Sequence, residues 1–185
     1  LGDTSVVACK CSLAALKLLA TGNDDIKAEI SRLGGIKKGI DFLNTSNDIA
    51  LADSSLRLLV ELTKDNKANA QVLAAAGGFD LVTSEMSKHP NLPYIQASCC
   101  GVLRHLPAEN VEQAKCTTAL ILAAFKKNRE DKMLQFEGCH VLLQNCCHFP
   151  AMGNLLRSKG VFPISSDKRS SLRQKVEQSV HDTSP

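Results

Sequence analysis

The segment Ser55–Asn66, SLRLLVELTKDN, decides how the rest of the sequence is interpreted. It recurs 43 residues earlier as SLAALKLLATGN, Ser12–Asn23. The identical pairs are Ser12/Ser55, Leu13/Leu56, Leu16/Leu59, Leu19/Leu62 and Asn23/Asn66. The same offset, without a gap, aligns Gly34-Gly35 with Gly77-Gly78. Similarity at a fixed period indicates a chain built from stacked repeats.

Two further copies follow at slightly different spacings. An offset of 44 carries Leu59 and Leu62 onto Leu103 and Leu106. An offset of 39 then aligns YIQASCCGVLRHL, from Tyr94, with MLQFEGCHVLLQN, from Met133. The identical pairs in this alignment are Gln96/Gln135, Cys100/Cys139, Val102/Val141 and Leu103/Leu142. A cysteine that recurs in one column of a repeat is more typical of packing than of a unique reactive site.

Each copy predicts the same order of helices. Leucines spaced at i, i+3 and i+6 indicate a long helix with one face toward a core. A polar turn and a second helix follow, and the second helix ends at the paired glycines, where a left-handed cap needs no Cβ. A third, short helix leads to the next long one. The third copy has no glycine near position 121, which predicts one continuous helix from about Val111 to Lys127.

These segments resemble the armadillo repeat. The residues that carry the resemblance are ALKLLATGN with ISRLGGI, LLVELTKDNKANAQVLAAAGGF, and LLRSKGVFP near the end. The resemblance implies an all-α, right-handed α-solenoid, in ten to twelve helices, over residues 1–164. About four units are expected, with the end ones incomplete. HEAT-like repeats are the alternative, and three helices with paired glycines favour armadillo.

Beyond Pro163 the composition becomes rich in Ser, Lys, Arg and Asp. Leu172, Val176 and Val180 recur every four residues, so residues 165–185 are expected to form either a mobile polar tail or an edge-packed helix. Because the chain begins at Leu1 and not at Met, we expect a fragment of a longer protein.

The composition narrows the class of protein. A net charge of +3 is too mild to predict a nucleic-acid partner. The eight cysteines lie in apolar helical runs, which is typical of buried thiols in a reducing, cytoplasmic protein and not of disulfides. No apolar run reaches the ~18 residues that a membrane span needs. We therefore expect an intracellular protein.

The cysteines and histidines also offer candidate chemical sites. Metal ligands could come from Cys139, His140, Cys146, Cys147 and His148. A nucleophile could come from Cys99 or Cys100 with His105, or from Cys139 with His140. Adjacent ligands on a helix diverge by about 100°, unlike the short-loop pairs of a zinc site. The sequence therefore favours core packing, no metal, no cofactor and no enzymatic activity.

With no metal, cofactor or catalytic site expected, the candidate functional feature is a binding surface. In armadillo proteins the groove residues lie four apart on the long helix, which implies four equivalent pairs here. They are Ala14/Leu18, Arg57/Glu61, Gly101/His105 and His140/Gln144, with Asn145 as the alternative in the last pair. The armadillo importins carry Trp and Asn at these positions to receive basic peptides, and this chain has no Trp. Nuclear-signal binding is therefore not expected.

The predicted function is a non-enzymatic scaffold or adaptor. Arg57, Glu61, His105, His140, Gln144 and Asn145 are expected to line a concave groove for a protein or an extended peptide, with the two histidines titrating near their ordinary pKa of ~6.5. The alternative is a structural or regulatory segment of a larger protein. That segment would pack against its own chain or self-associate end to end, because solenoid ends expose apolar surface.

Overall fold

The computed structural model describes residues 2–160, and this part of the chain consists of α-helices joined by short turns. The helices are α1 (Gly2–Ala20), α2 (Asp24–Arg32), α3 (Gly35–Thr45), α4 (Ile49–Thr63), α5 (Lys67–Ala75), α6 (Gly78–Lys88), α7 (Pro93–His105), α8 (Val111–Lys127), α9 (Lys132–His148) and α10 (Pro150–Ser158). The all-α prediction is confirmed for these residues.

The polar turns start helices because their Asn and Asp side chains cap them. In five helices the residue before the first turn accepts a hydrogen bond from the main-chain N–H three residues on, at 2.7–3.0 Å. These caps are Asn23, Asp48, Asn66, Asn110 and Asp131. Satisfying one free N–H in this way stabilises a helix by about 1 kcal/mol. The asparagine that repeats at positions 23 and 66 is therefore a helix-start signal.

The paired glycines separate two short helices in each of the first two copies. Gly77 has a φ of +77°, a left-handed conformation that ends α5 and lets α6 begin at Gly78. A Cβ at Gly78 would lie 2.6 Å from the Leu73 side chain, so that second glycine permits close packing of the two helices. In the third copy the glycine is absent and α8 runs unbroken from Val111 to Lys127, as predicted.

The long helices α1, α4, α7 and α9 pack against one another in chain order. Other helices cover the side of this row that carries the core: α3 packs on α4, α6 on α7, and α8 and α10 on α9. The predicted core leucines Leu59, Leu62 and Leu103 are at most 1% exposed. This order of packing gives α4 and α7 one core face and two faces toward long neighbours, whereas α1 and α9 each have one long neighbour.

The two outer long helices are less buried than the repeat predicts. Leu19, expected in the core beside Leu16, is 59% exposed. Cys139, the counterpart of the fully buried Cys100, is only half-buried, while Cys9 is half-buried and Cys11 exposed. The expectation of four equally buried columns is wrong at α1 and α9, because each packs on only one other long helix in the described part.

Residues 165–185, for which a mobile tail or an edge helix was expected, lie outside the described residues, as do the last residues of the predicted array, 161–164. Among residues 2–160, no helix combines the length and the apolar character needed to cross a membrane.

Candidate functional site

The best candidate for a functional site is the surface formed by the solvent-facing sides of α4, α7 and α9, here called the long-helix face. Arg57 lies on it from α4 and is exposed, His105 lies on it from α7, and His140 and Gln144 lie on it from α9; these last three are half-buried. Four of the six predicted groove residues therefore remain accessible on adjoining helices.

The contact between α4 and α7, here called the α4–α7 step, is centred on Asp53. Its carboxylate accepts a 2.8 Å hydrogen bond from Nε of Arg57 and a longer one, 3.4 Å, from the Ser98 hydroxyl on α7. Nearby, a Cβ at Gly101 would lie 3.1 Å from Val60 on α4, so glycine permits the close approach of these helices. Asp53 thus orients Arg57 along the surface while linking two long helices.

The contact between α7 and α9, here called the α7–α9 step, is centred on Arg104. Its guanidinium lies 3.6 Å from the Glu137 carboxylate and 5.9 Å from the centre of the Phe136 ring. Nε2 of Gln144 donates a 3.0 Å hydrogen bond to the Arg104 carbonyl oxygen. The Phe136 ring meets His140 edge-on, with centroids 4.7 Å apart. An aromatic ring, an ion pair and an amide thus converge at this step.

Two acceptor atoms at this step receive no hydrogen bond from the described residues. They are Oε2 of Glu137 and Oε1 of Gln144, and both are shielded from solvent. A buried acceptor without a donor costs about 1–3 kcal/mol. For Glu137 the Arg104 guanidinium, 3.6 Å from this oxygen, offsets part of that cost. Because both atoms are covered by the protein, the groups that a partner can reach at this step are the Phe136 ring and the Arg104 side chain.

The two histidines of the face are held neutral. Burial, together with the cations Arg104, Lys64 and Lys27, lowers the pKa of His105 to about 4, although Asp65 opposes the shift. Burial lowers the pKa of His140 as well, helped by Arg104 and opposed by Glu137. The expected titration near pH 6.5 is therefore wrong for His105. At neutral pH both rings act as uncharged hydrogen-bonding groups.

Glu61 is not available as a groove residue. Only 9% of it is exposed, and its carboxylate lies 4.0 Å from the buried Lys27 ammonium. That ammonium also donates to the Lys64 carbonyl oxygen at 2.9 Å and pairs with Asp24 at 3.1 Å. The expectation for Glu61 is corrected: it neutralises a buried lysine that ties α2 to the end of α4.

Asn145 is also internal. It is 3% exposed, and its Nδ2 lies 3.0 Å from the Thr117 hydroxyl and 3.3 Å from the Ala114 carbonyl oxygen on α8. The expectation that it lines the groove is wrong because the helix turns this position toward α8. Its amide holds two helices together and does not face a partner.

Sequence reasoning missed Asp53, Ser98, Arg104, Phe136 and Glu137. A signal for two of them exists, since the offset of 39 places Glu137 in the column of Ser98. Each of these side chains reaches back to the preceding long helix, Ser98 to Asp53 and Glu137 to Arg104. Counting only positions four apart on one helix could not reveal contacts between neighbouring helices.

The thiols in the core are poor nucleophiles. Burial raises the pKa of Cys100 to about 12 and raises the pKa of Cys99 well above its ordinary value. Because the thiolate is the reactive form, these shifts oppose nucleophilic catalysis. Within residues 2–160, no three His, Cys, Asp or Glu side chains are grouped closely enough to hold a metal ion.

A shallow cleft of about 370 Å³ adjoins the long-helix face at the end of α7. Its walls are residues of α5 and α6 on one side and the loop after α7 on the other, and His105 lies at its edge. Asp80 and Glu109 give the cleft an acidic rim. It extends the accessible surface around His105 toward α5 and α6.

No protein-family model, curated protein or solved structure matches this chain.

Proposed function

We propose that the chain is an armadillo-type, right-handed α-solenoid that binds a protein or an extended peptide along the long-helix face. The succession of α1, α4, α7 and α9, with glycine breaks between the short helices, supports the architecture. HEAT-like stacking is the alternative geometry. The proposed role is that of a scaffold or adaptor, without a cofactor or a catalytic step.

The observation that carries the proposal is the α7–α9 step. The Arg104 guanidinium, itself paired with Glu137, lies 5.9 Å from the centre of the Phe136 ring, which is 54% exposed. Aromatic and arginine side chains at the centre of a surface are the groups that contribute most to protein–protein affinity. A partner that packs on Phe136 and bonds to the Arg104 side chain would use both groups.

The charge pattern favours a peptide of mixed composition. Each cation on the long-helix face has an anion beside it: Asp53 with Arg57, and Glu137 with Arg104. Such alternation repels a ligand that carries a run of one charge and suits an extended segment bound through main-chain groups. It also argues against nucleic acid, which needs a concentrated basic surface.

The test compares captured partners among matched variants of the whole chain. The groove variant is Arg57→Ala/His105→Ala, and the control is Lys37→Ala/Lys126→Ala, whose lysines are exposed on α3 and α8. A partner retained by the wild type and the control but lost by the groove variant supports the proposal. A partner lost only by the control places binding on the side of α3 and α8 and contradicts the proposal.

A second candidate function has its own support in the exposed end of the helical row. Leu18 is 71% exposed on α1, and Leu33, just after α2, is 70% exposed. This surface fits a structural or regulatory segment that packs against other parts of a larger chain or self-associates. Concentration-dependent sedimentation that Leu18→Lys abolishes, with no captured partner sensitive to Arg57→Ala, would favour this candidate.

A further inference from the structure

The cleft beside His105 lies between two successive copies of the repeat. One wall comes from α5 and α6, and the other comes from the loop after α7 and the start of α8. Its volume of about 370 Å³ falls within the ~300–1,000 Å³ range of ligand pockets. Because the two walls belong to different copies, the shape of the cleft depends on how the copies pack and not on one loop alone.

The walls of the cleft carry small or apolar side chains. Ala70 and Ala74 lie one turn apart on α5, Phe79 is partly buried on α6, and Pro107 belongs to the other wall. The aliphatic stem of a lysine or arginine can be buried along such a surface while its charged end stays near water. An aromatic ring also attracts a cation placed over its face. The cleft therefore suits a long side chain with a cationic end.

The two walls also carry one carboxylate each, Asp80 on α6 and Glu109 on the loop after α7. Among residues 2–160, these two carboxylates form no ion pair and accept no hydrogen bond. The carboxylates of the long-helix face differ, because Asp53 and Glu137 are each paired with an arginine. A concave surface lined by one sign of charge concentrates the field and attracts the opposite charge. The cleft is therefore a place where a cation is favoured.

No positive charge lines the cleft to oppose a cationic ligand. Of the described residues that form its walls, only Asp80 and Glu109 are charged at neutral pH. Burial lowers the pKa of His105 to about 4, so its ring is neutral at pH 7 and offers one nitrogen as an acceptor. Lys27, which acts on this ring from α2, is itself paired with Asp24.

We propose that the cleft receives one cationic side chain, a lysine or an arginine, from the protein or peptide that binds the long-helix face. His105 belongs to both surfaces, so a segment that lies along α7 can direct a side chain into the cleft. The inference rests on the proposed function for the source of that side chain. It adds a requirement for a single basic residue, which agrees with the alternating charges of the face.

The test titrates the isotope-labelled full chain with an acetylated and amidated Ala-Arg-Ala tripeptide and follows the main-chain amide signals by nuclear magnetic resonance. The matched control is the same tripeptide with citrulline, which keeps the shape of arginine without its charge. We expect saturable shifts at Ala74, Gly77 and Leu106, with several-fold weaker binding of the citrulline peptide. Equal affinity for both peptides, or the absence of saturable shifts at these three residues, would overturn the proposal. This comparison needs no substitution, so it holds even if a variant folds poorly.

A pair of variants then tests the two carboxylates. The cleft variant is Asp80→Asn/Glu109→Gln, and the control is Asp25→Asn/Glu130→Gln. The control removes the same charge at exposed positions, in the first turn of α2 and in the loop before α9, just as Asp80 lies in the first turn of α6. Affinity for the arginine peptide should fall several-fold in the cleft variant alone. An equal loss in both variants would mean that only the net charge matters, which contradicts the proposal.

Capture of a partner separates this inference from the proposed function. We expect the cleft variant to retain less of the partner whose capture depends on Arg57. A partner that is lost by Arg57→Ala but fully retained by Asp80→Asn/Glu109→Gln would overturn the inference and leave the proposed function intact. Arg57 is not part of the cleft, so binding of the arginine peptide stays measurable if no partner depends on the long-helix face. In that case the proposed function fails while the cleft remains a site for a cationic side chain.

Discussion

Asn69 on α5 donates a hydrogen bond from Nδ2 to the carbonyl oxygen of Lys27 on α2, 3.2 Å away. The same amide donates to the Leu62 carbonyl oxygen at 2.8 Å, and Asn69 is only 4% exposed. One side chain thus joins the main chains of two successive repeat units and the end of α4. This bridge explains how units joined by short turns keep a fixed relation to one another.

Removing the bridge should destabilise the fold. Asn69→Ala leaves two buried carbonyl groups without this donor and is expected to lower the free energy of unfolding by about 1–3 kcal/mol. Urea denaturation measures the change. Asn91→Ala, at an exposed position in the turn before α7, serves as the control and should change stability by less than about 0.5 kcal/mol. Equal effects of the two variants would mean that the amide contributes nothing specific.

The equivalent leucines of two units should differ sharply in how much each contributes to the free energy of unfolding. Leu62 is fully buried, while Leu19, at the same position of the repeat, is 59% exposed. Leu62→Ala is expected to cost about 2–5 kcal/mol, the range for a cavity left in a core. Leu19→Ala should cost about 0.5 kcal/mol or less, as at surface sites. Chemical denaturation of both variants decides the matter, and a similar loss in each would show that α1 is covered in solution.

Two helical glycines make a second matched pair. A Cβ at Gly138 would lie 2.6 Å from the Phe125 ring and 3.0 Å from Ile121, whereas a Cβ at Gly153 meets nothing within 4 Å. Gly138→Ala is expected to cost about 1–3 kcal/mol through overpacking. Gly153→Ala should stabilise α10 by up to about 1 kcal/mol. Combining Gly138→Ala with Phe125→Leu should recover part of the loss, and no recovery would contradict the assigned clash.

Cysteine reactivity should follow burial. Cys99 and Cys100 are 0% exposed and their pKa values are raised, so native alkylation should leave them unmodified. Cys11 and Cys116 are exposed and should react within the same period. Peptide mass spectrometry after timed labelling gives the order. Early modification of Cys100 would place α7 elsewhere than between α4 and α9.

Stability should fall on mild acidification because of His105. Its pKa is about 4 in the folded chain, against 6.5 ordinarily, so between these values the unfolded chain binds more protons. The stability contribution of the neutral ring is complete above pH 6.5 and is lost as the pH falls toward 4. With allowance for its partial exposure, the loss is on the order of 1–2 kcal/mol.

The variant His105→Gln isolates this effect from the titration of carboxylates. The difference in unfolding free energy between wild type and variant should change between pH 7 and pH 5, with the wild type losing more. Denaturation curves at the two pH values provide the measurement. A difference that stays constant would show that His105 keeps its ordinary pKa in the folded chain.

The sequence by itself determined the helices and their order. Leucine spacing, Asn and Asp caps and left-handed glycines act within a few residues, so Ser55–Gly78 and its copies predict the turns, and the missing glycine predicts the unbroken α8. The repeat columns also predict the core of α4 and α7, because both helices have long neighbours on two sides. Leu59, Leu62 and Leu103 are buried for that reason.

Only the tertiary structure decided which equivalent positions are covered and which polar groups meet. Leu19 and Cys139 share columns with Leu62 and Cys100 but lack a second long neighbour, and burial depends on neighbours and not on periodicity. Asn145 shares the buried column of Leu106, and its amide meets the Thr117 hydroxyl of α8 only once the two helices pack. The pairing of Arg104 with Glu137 arises between helices that are distant in sequence. Such contacts depend on the relative placement of whole helices, which no local pattern encodes.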